Sequence, residues 1–141
     1  MFAERDGRLA LVDDGGGFVP PGGYAEGDES AAEAVRRELL EETGLVPVST
    51  LVGLGTFLTL KSGSPDTGHI FGCFVGPGDI VISDEHQSCA WLPAEEYLVG
   101  VRAFVDGAPD GWVKDMFVAI ADGLEQWLVA RTSLRLSLIH I

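Results

Sequence analysis

The chain has 141 residues, 46% of them apolar and 22% charged, and its 22 acidic and 9 basic side chains give a formal net charge of −13. This length and composition predict one folded domain and exclude disordered and collagen-like chains. The acidic excess argues against nucleic acid polymers and anionic membrane surfaces as partners, and the sequence has no apolar run long enough to span a bilayer.

The first part of the chain is predicted to form a strand and a turn. Residues 8–12 are a short apolar run, and an Asp- and Gly-rich turn follows at 13–17. The prolines and glycines of residues 18–23 argue against regular structure there.

A helix is predicted over residues 31–43. Ser30 and Glu33 have the spacing of a capping box, and Gly44 is a typical C-terminal stop. Apolar side chains recur at helical spacing and should face the core: Ala32, Val35 and Leu39.

The middle of the chain is predicted to form strands. Residues 51–60 and 69–75 are rich in Val, Leu, Phe and Thr, and residues 80–83 predict a shorter strand. A polar loop is predicted at 84–88, and Trp91 is expected in a buried strand after it, with a substrate-stacking role as the alternative.

Two helices are predicted in the last part of the chain. Pro93 is expected at the first position of a short helix that ends at Tyr97. From Pro109 onward one helical stripe of apolar residues is expected to face the core: Val113, Met116, Phe117, Ile120, Leu124, Trp127 and Leu128.

The last six residues follow poorly from the predicted helix and look like the translated end of a sequencing adapter. We therefore predict a single domain at residues 1–135 and a non-native tail at 136–141.

Signals of cellular compartment favour the cytoplasm. Residues 1–7 lack the basic and apolar segments of a secretory signal. Cys73 and Cys89 are too few and too far apart for a disulfide framework or a zinc site, so we expect two reduced and mostly buried thiols.

The acidic residues are concentrated in one segment. Residues 23–45 hold seven of the 22 acids, and three of these share one helix edge beside the apolar stripe: Glu38, Glu41 and Glu42. Such a group of carboxylates suits a hard divalent cation, Mg²⁺ first and Mn²⁺ next, while the alternative is a solvated acidic face.

The spacing within this segment resembles the Nudix box. Gly23 is followed after five residues by Glu29 and after seven more by Arg37, where the run Arg-Glu-Leu-Leu-Glu-Glu-Thr-Gly-Leu begins. The segment matches G-x5-E-x7-R-E-U-x-E-E-x-G-U, with U aliphatic, at every specified position.

The resemblance implies an α/β fold, with a mixed β-sheet sandwiched between helices, and hydrolysis of a nucleoside diphosphate linked to another moiety. It implies that Mg²⁺ would be held by three carboxylates: Glu38, Glu41 and Glu42. Arg37 and Glu29 would pair to brace the loop against the helix, and Gly23 and Gly44 would permit its tight ends. Family members usually have a full strand where this chain has only residues 1–3, so the first strand is expected to be truncated.

The general base is left open between two sources. One is a box glutamate, Glu38 or Glu41, and the other is Glu85 in the predicted polar loop, where the family often has a base or a further metal ligand. A solvated loop acid is the alternative for Glu85. We expect structural or substrate-contacting roles for His69 and His86.

Taken together, these residues predict a Mg²⁺-dependent hydrolase that converts a nucleoside triphosphate, including an oxidised one, to a monophosphate and pyrophosphate. The alternatives are an ADP-ribose or nucleotide-sugar pyrophosphatase, a catalytically silent ligand-binding regulatory module, and a non-functional gene product. A small-molecule nucleotide is the expected partner, and a homodimer is left open.

Overall fold

Six strands and three helices make up the part of the chain that the structure, a computed structural model, describes: residues 1–81 and 88–139. In chain order they are β1 (Phe2–Arg5), β2 (Arg8–Asp13), β3 (Phe18–Val19), α1 (Ala31–Thr43), β4 (Val52–Lys61), β5 (Ser64–Phe74), β6 (Cys89–Pro93), α2 (Ala94–Gly107) and α3 (Trp112–Ile139).

The strands form one mixed sheet in the order β3-β2-β1-β5-β4, and β6 also pairs with β2. The β1–β5 pair is parallel, with Phe2 opposite Gly72, and the other pairs are antiparallel. Successive side chains of a strand face opposite sides of a sheet, so Leu9 and Leu11 pack towards α2 and α3 while Ala10 packs towards α1. The predicted α/β fold, with a mixed sheet between helices, is confirmed.

Helix α1 has the predicted bounds. The Ser30 hydroxyl accepts a hydrogen bond from the Glu33 amide, and the Glu33 carboxylate accepts one from the Ser30 amide. Gly44 ends the helix with φ 74°, a left-handed conformation that glycine adopts without strain. These local interactions set both ends of the helix that carries the acidic cluster.

Three of the predicted boundaries were wrong, and a fourth is tested only in part. Residues 18–19 form a short strand instead of irregular chain. Strand β5 begins at Ser64, since a tight turn with positive φ at Ser62 and Gly63 joins it to β4. Helix α2 continues to Gly107 instead of ending at Tyr97, because Val101 and Val105 extend its buried face. In the predicted strand 80–83, residues 80 and 81 have no regular structure and the other two lie outside the described residues.

Helix α3 contains the predicted C-terminal stripe, except that Val113 is exposed instead of facing the core, and it continues into the predicted tail. Ala121, Leu124 and Trp127 are fully buried, whereas Leu136 is exposed and Leu138 lies partly buried at the edge of the core. Within the described ranges, no helix combines the length and the apolar character needed to cross a membrane.

Candidate active site

A loop without regular structure, residues 20–30, leads into α1 and is called the box loop below. Gly23 in this loop lies directly against the side chain of Glu38, and a Cβ at position 23 would collide with that carboxylate. A side chain at this position therefore fits only if the Glu38 carboxylate moves away, because the loop backbone approaches the helix side chain closely.

Arg37 connects the box loop to the acidic helix edge. Its Nε and Nη2 donate to Glu29 at 2.8 and 3.1 Å, and Nη2 also donates to the backbone oxygen of Tyr24 at 3.0 Å. Its Nη1 donates at 3.0 Å to both Glu38 and Glu41. Hydrogen bonds from Arg37 lower the pKa of Glu29, which therefore stays ionised. The predicted Arg37–Glu29 pair is present in this geometry.

Glu42 is the most buried member of the acidic cluster, with 4% of its surface exposed. The backbone N–H of Gly22 donates to its Oε2 at 3.1 Å. Burial, followed by the hydrogen bond and like charge of Glu38, raises the pKa of Glu42 to about 8. Without a cation, Glu42 is therefore mostly protonated at neutral pH.

An open cavity of about 460 Å³ lies between the box loop and α1. Its walls are formed by residues 22–27, Glu38 and Glu42, so backbone groups and carboxylates dominate them. Glu41 is held by Arg37 outside this lining, and its side chain is 57% exposed. Among residues 1–81 and 88–139, no three His, Cys, Asp or Glu side chains meet in an arrangement ready to hold a metal ion.

The other predicted site residues lie apart from this cavity or outside the description. Glu85 and His86 fall outside the described residues. His69 is exposed on β5 with its ring stacked 6.4 Å from that of Phe71. Trp91 is partly buried on β6, and the Arg5 guanidinium lies 4.3 Å from its ring centre.

Both thiols are free, Cys73 buried and Cys89 partly buried.

Tyr24 is a site residue that sequence reasoning missed. It lines the cavity, and its hydroxyl donates to the backbone oxygen of Leu60 at 2.6 Å, linking the box loop to the end of β4. The box specifies no residue type at this position, so the motif carries no signal for it.

Comparison with known proteins shows the family to which the chain belongs. The family model for the NUDIX domain matches residues 2–114. A protein of Methanocaldococcus jannaschii named ADP-ribose pyrophosphatase is 42% identical over 57 residues, and the match spans 36% of this chain and 34% of that relative.

Solved structures show the same fold. A C. elegans Ap4A hydrolase binary complex has a TM-score of 0.62 at 20% identity, with 87% of each chain covered. The NUDIX domain of Shewanella oneidensis NrtR complexed with ADP ribose has a TM-score of 0.60 at 18% identity, covering 86% of this chain and 77% of that one. With a family model matched over most of its length and every box position in place, this chain belongs to the Nudix family.

Proposed function

We propose that this protein is a Mg²⁺-dependent pyrophosphohydrolase that converts a nucleoside triphosphate to a monophosphate and pyrophosphate. The observation that carries the proposal is the pairing of Glu38 and Glu42 in the wall of a cavity that is otherwise lined by loop backbone. Buried carboxylates in contact repel each other unless a proton or a cation lies between them.

The donor chemistry of the cluster fits a hard divalent cation. Glu38 and Glu42 would hold Mg²⁺ or Mn²⁺ in place of the proton, and Glu41 would join them by leaving Arg37. When bound, the ion would neutralise phosphoryl oxygens and lower the pKa of an attacking water. The box loop would meanwhile hold the substrate beside the helix, since Arg37 ties it to the carboxylates.

The general base is proposed among Glu38, Glu41 and Glu85, the candidates that the sequence analysis left open. The side chain of Glu41 is more exposed than that of Glu38, so it can reach a water molecule without desolvation. Glu38 and Glu85 remain the other candidates.

We favour a nucleoside triphosphate as the substrate over ADP-ribose or a nucleotide sugar, because the triphosphate group that reacts is compact. A cavity of about 460 Å³ lies in the lower half of the range for small-molecule sites, and one aromatic side chain, Tyr24, lines it. The second candidate is ADP-ribose or a nucleotide sugar, which is favoured by the name of the M. jannaschii relative. A silent binding module is less favoured, because every glutamate of the box is retained.

Product analysis with a nucleotide panel and Mg²⁺ separates these functions. A triphosphatase of this type releases pyrophosphate and a monophosphate, whereas an ADP-ribose hydrolase releases AMP and ribose 5-phosphate. Glu41→Gln and Glu42→Gln should each reduce turnover at least about 100-fold, while Glu96→Gln on the exposed face of α2 is the matched control. Activity equal to that of the wild type in both site variants would refute the metal assignment, and Mg²⁺ binding without turnover of any nucleotide would favour the binding module.

A further inference from the structure

The outer part of the β4–β5 hairpin, residues 56–67, is called the arm below; Phe57 at its base packs against the core, and the residues beyond it extend away from the core. Leu54 and Ile70 are the last buried apolar residues on the two strands, and Leu58 in the arm is 72% exposed. The strands stay paired as far as Lys61 and Ser64. Because a two-stranded hairpin alone is only marginally stable, the position of the arm depends on its contacts with the rest of the domain.

The arm leaves the core at an irregular point of the sheet. The register of the β4–β5 pair shifts between Gly53 and Gly55, and Gly55 has φ 128°, which residues with a side chain rarely adopt. A bulge of this kind bends a strand and increases its twist. The orientation of the arm is therefore not set by regular pairing alone.

Tyr24 supplies a contact between the box loop and the arm. Its hydroxyl donates to the Leu60 backbone oxygen at 2.6 Å, and its own backbone oxygen accepts from Arg37 at 3.0 Å. Since Tyr24 also lines the cavity beside Glu38 and Glu42, the outer end of the arm lies at the cavity rim.

The outer end of the arm differs in charge from the rest of this acidic chain. No Asp or Glu occurs between Glu42 and Asp66, so Asp66 is the one acidic residue of the arm sequence, and the turn region contributes the hydroxyl residues Ser62 and Ser64. An anionic polyphosphate meets less repulsion at such a surface than at the acidic box loop, which contains Glu26 and Asp28.

We propose that Tyr24 is a positioning residue that holds the arm at the cavity rim, so that the nucleotide binds between the box loop and the arm. The inference rests on the proposed function for its substrate, but the coupling of Tyr24 to the arm is measurable without turnover. The Tyr24→Phe variant removes the hydroxyl and keeps the ring. Tyr97→Phe is the matched control, because it deletes the only other tyrosine hydroxyl in the sequence. Tyr97 lies on the buried face of α2.

Amide hydrogen exchange of residues 56–67 tests the coupling. Tyr24→Phe should accelerate exchange in the arm about five-fold, as expected for the loss of one hydrogen bond, while Tyr97→Phe leaves the arm unchanged. The affinity for Mn²⁺ alone should stay within about two-fold in Tyr24→Phe, since the carboxylates are untouched. For the nucleotide turned over by the wild type, KM should rise with little change in kcat.

Each result has a defined meaning. Unchanged arm exchange in Tyr24→Phe would overturn the coupling. Faster exchange with an unchanged KM would overturn the part of the proposal that places substrate against the arm. If the wild type turns over no nucleotide, the proposed function fails, and protection of the arm by a bound non-hydrolysable nucleotide analogue then decides the inference: protection supports it and its absence overturns it.

Discussion

Arg131 donates to Glu4 at 2.7 Å, which ties the last helix to the first strand in the interior of the domain. Glu4 is fully buried, and Trp127 Nε1 and Arg135 also donate to it, at 3.1 and 2.8 Å. Its carboxylate therefore has hydrogen-bond donors for both oxygens, as a buried charge requires.

Glu4→Gln should destabilise the protein strongly, because it leaves Arg131 without its buried countercharge. We expect a loss of about 2–4 kcal/mol in the free energy of unfolding, measured by urea denaturation. Glu125→Gln removes an exposed partner of Arg102, at 2.8 Å, and should cost less than about 1 kcal/mol. Similar losses in the two variants would show that the Glu4 cluster is not a stabilising element.

Gly23→Ala should impair the site more than the fold. The added Cβ would collide with the Glu38 carboxylate, which can swing away, so the stability change should be small while Mn²⁺ affinity falls at least about 10-fold. Gly22→Ala is the control, because no atom lies within 4 Å of the Cβ it would add. Calorimetric titration with Mn²⁺ gives the comparison, and equal affinities in the two variants would contradict it.

The buried Glu42 predicts an unusual pH dependence of the metal-free protein. Its pKa rises from 4.5 to about 8 on folding, so between these values the folded state binds more protons than the unfolded state. The free energy of unfolding contributed by this group therefore falls as pH rises from about 4.5 to 8. Urea denaturation in EDTA at several pH values should show this decline, and Glu42→Gln should flatten it. A stability that rises through this range in the wild type but not in Glu42→Gln would refute the assignment.

Mg²⁺ should stabilise the folded protein through the same carboxylates. At about 100 times its dissociation constant, a ligand bound only by the folded state adds about 2.7 kcal/mol, or a Tm increase of roughly 8 °C for a chain of this size. NaCl at equal ionic strength serves as the control for screening. A Tm that responds equally to both salts would indicate a solvated acidic face instead of a metal site.

Removal of residues 136–141 should leave both stability and activity unchanged. The fully buried residues of α3 precede this segment, and Leu138 is only partly buried. Thermal melting and nucleotide turnover of the shortened and full-length chains provide the comparison. A Tm lowered by more than about 4 °C would show that the tail belongs to the folded domain.

The parts of the structure that sequence predicted well are local. Helix α1 has its capping box, apolar stripe and terminal glycine within fifteen residues, so its bounds were predicted correctly. The outer half of β5 was missed because its residues are exposed on both faces, which leaves no alternation of apolar and polar side chains.

Contacts between distant segments could not be predicted. The box indicates Glu42 as a ligand, but its hydrogen bond from the Gly22 amide joins residues twenty positions apart. Glu4 reads as a surface acid because its partners lie on α3, and Tyr24 meets Leu60 only through the hairpin geometry. Such pairings depend on how the whole chain is arranged, which no local pattern encodes.

The parallel pairing of β1 with β5 has a consequence for biosynthesis. Strand β1 is made before α1 and β4, whereas the segment of β5 that pairs with it, centred on Cys73, is made only after both have been completed. Loop closure over this distance is slow, and until it occurs the apolar residues of β1 have no partner on that side. The nascent chain should therefore depend on chaperones or on early collapse of β2 around α1 until the sheet can close.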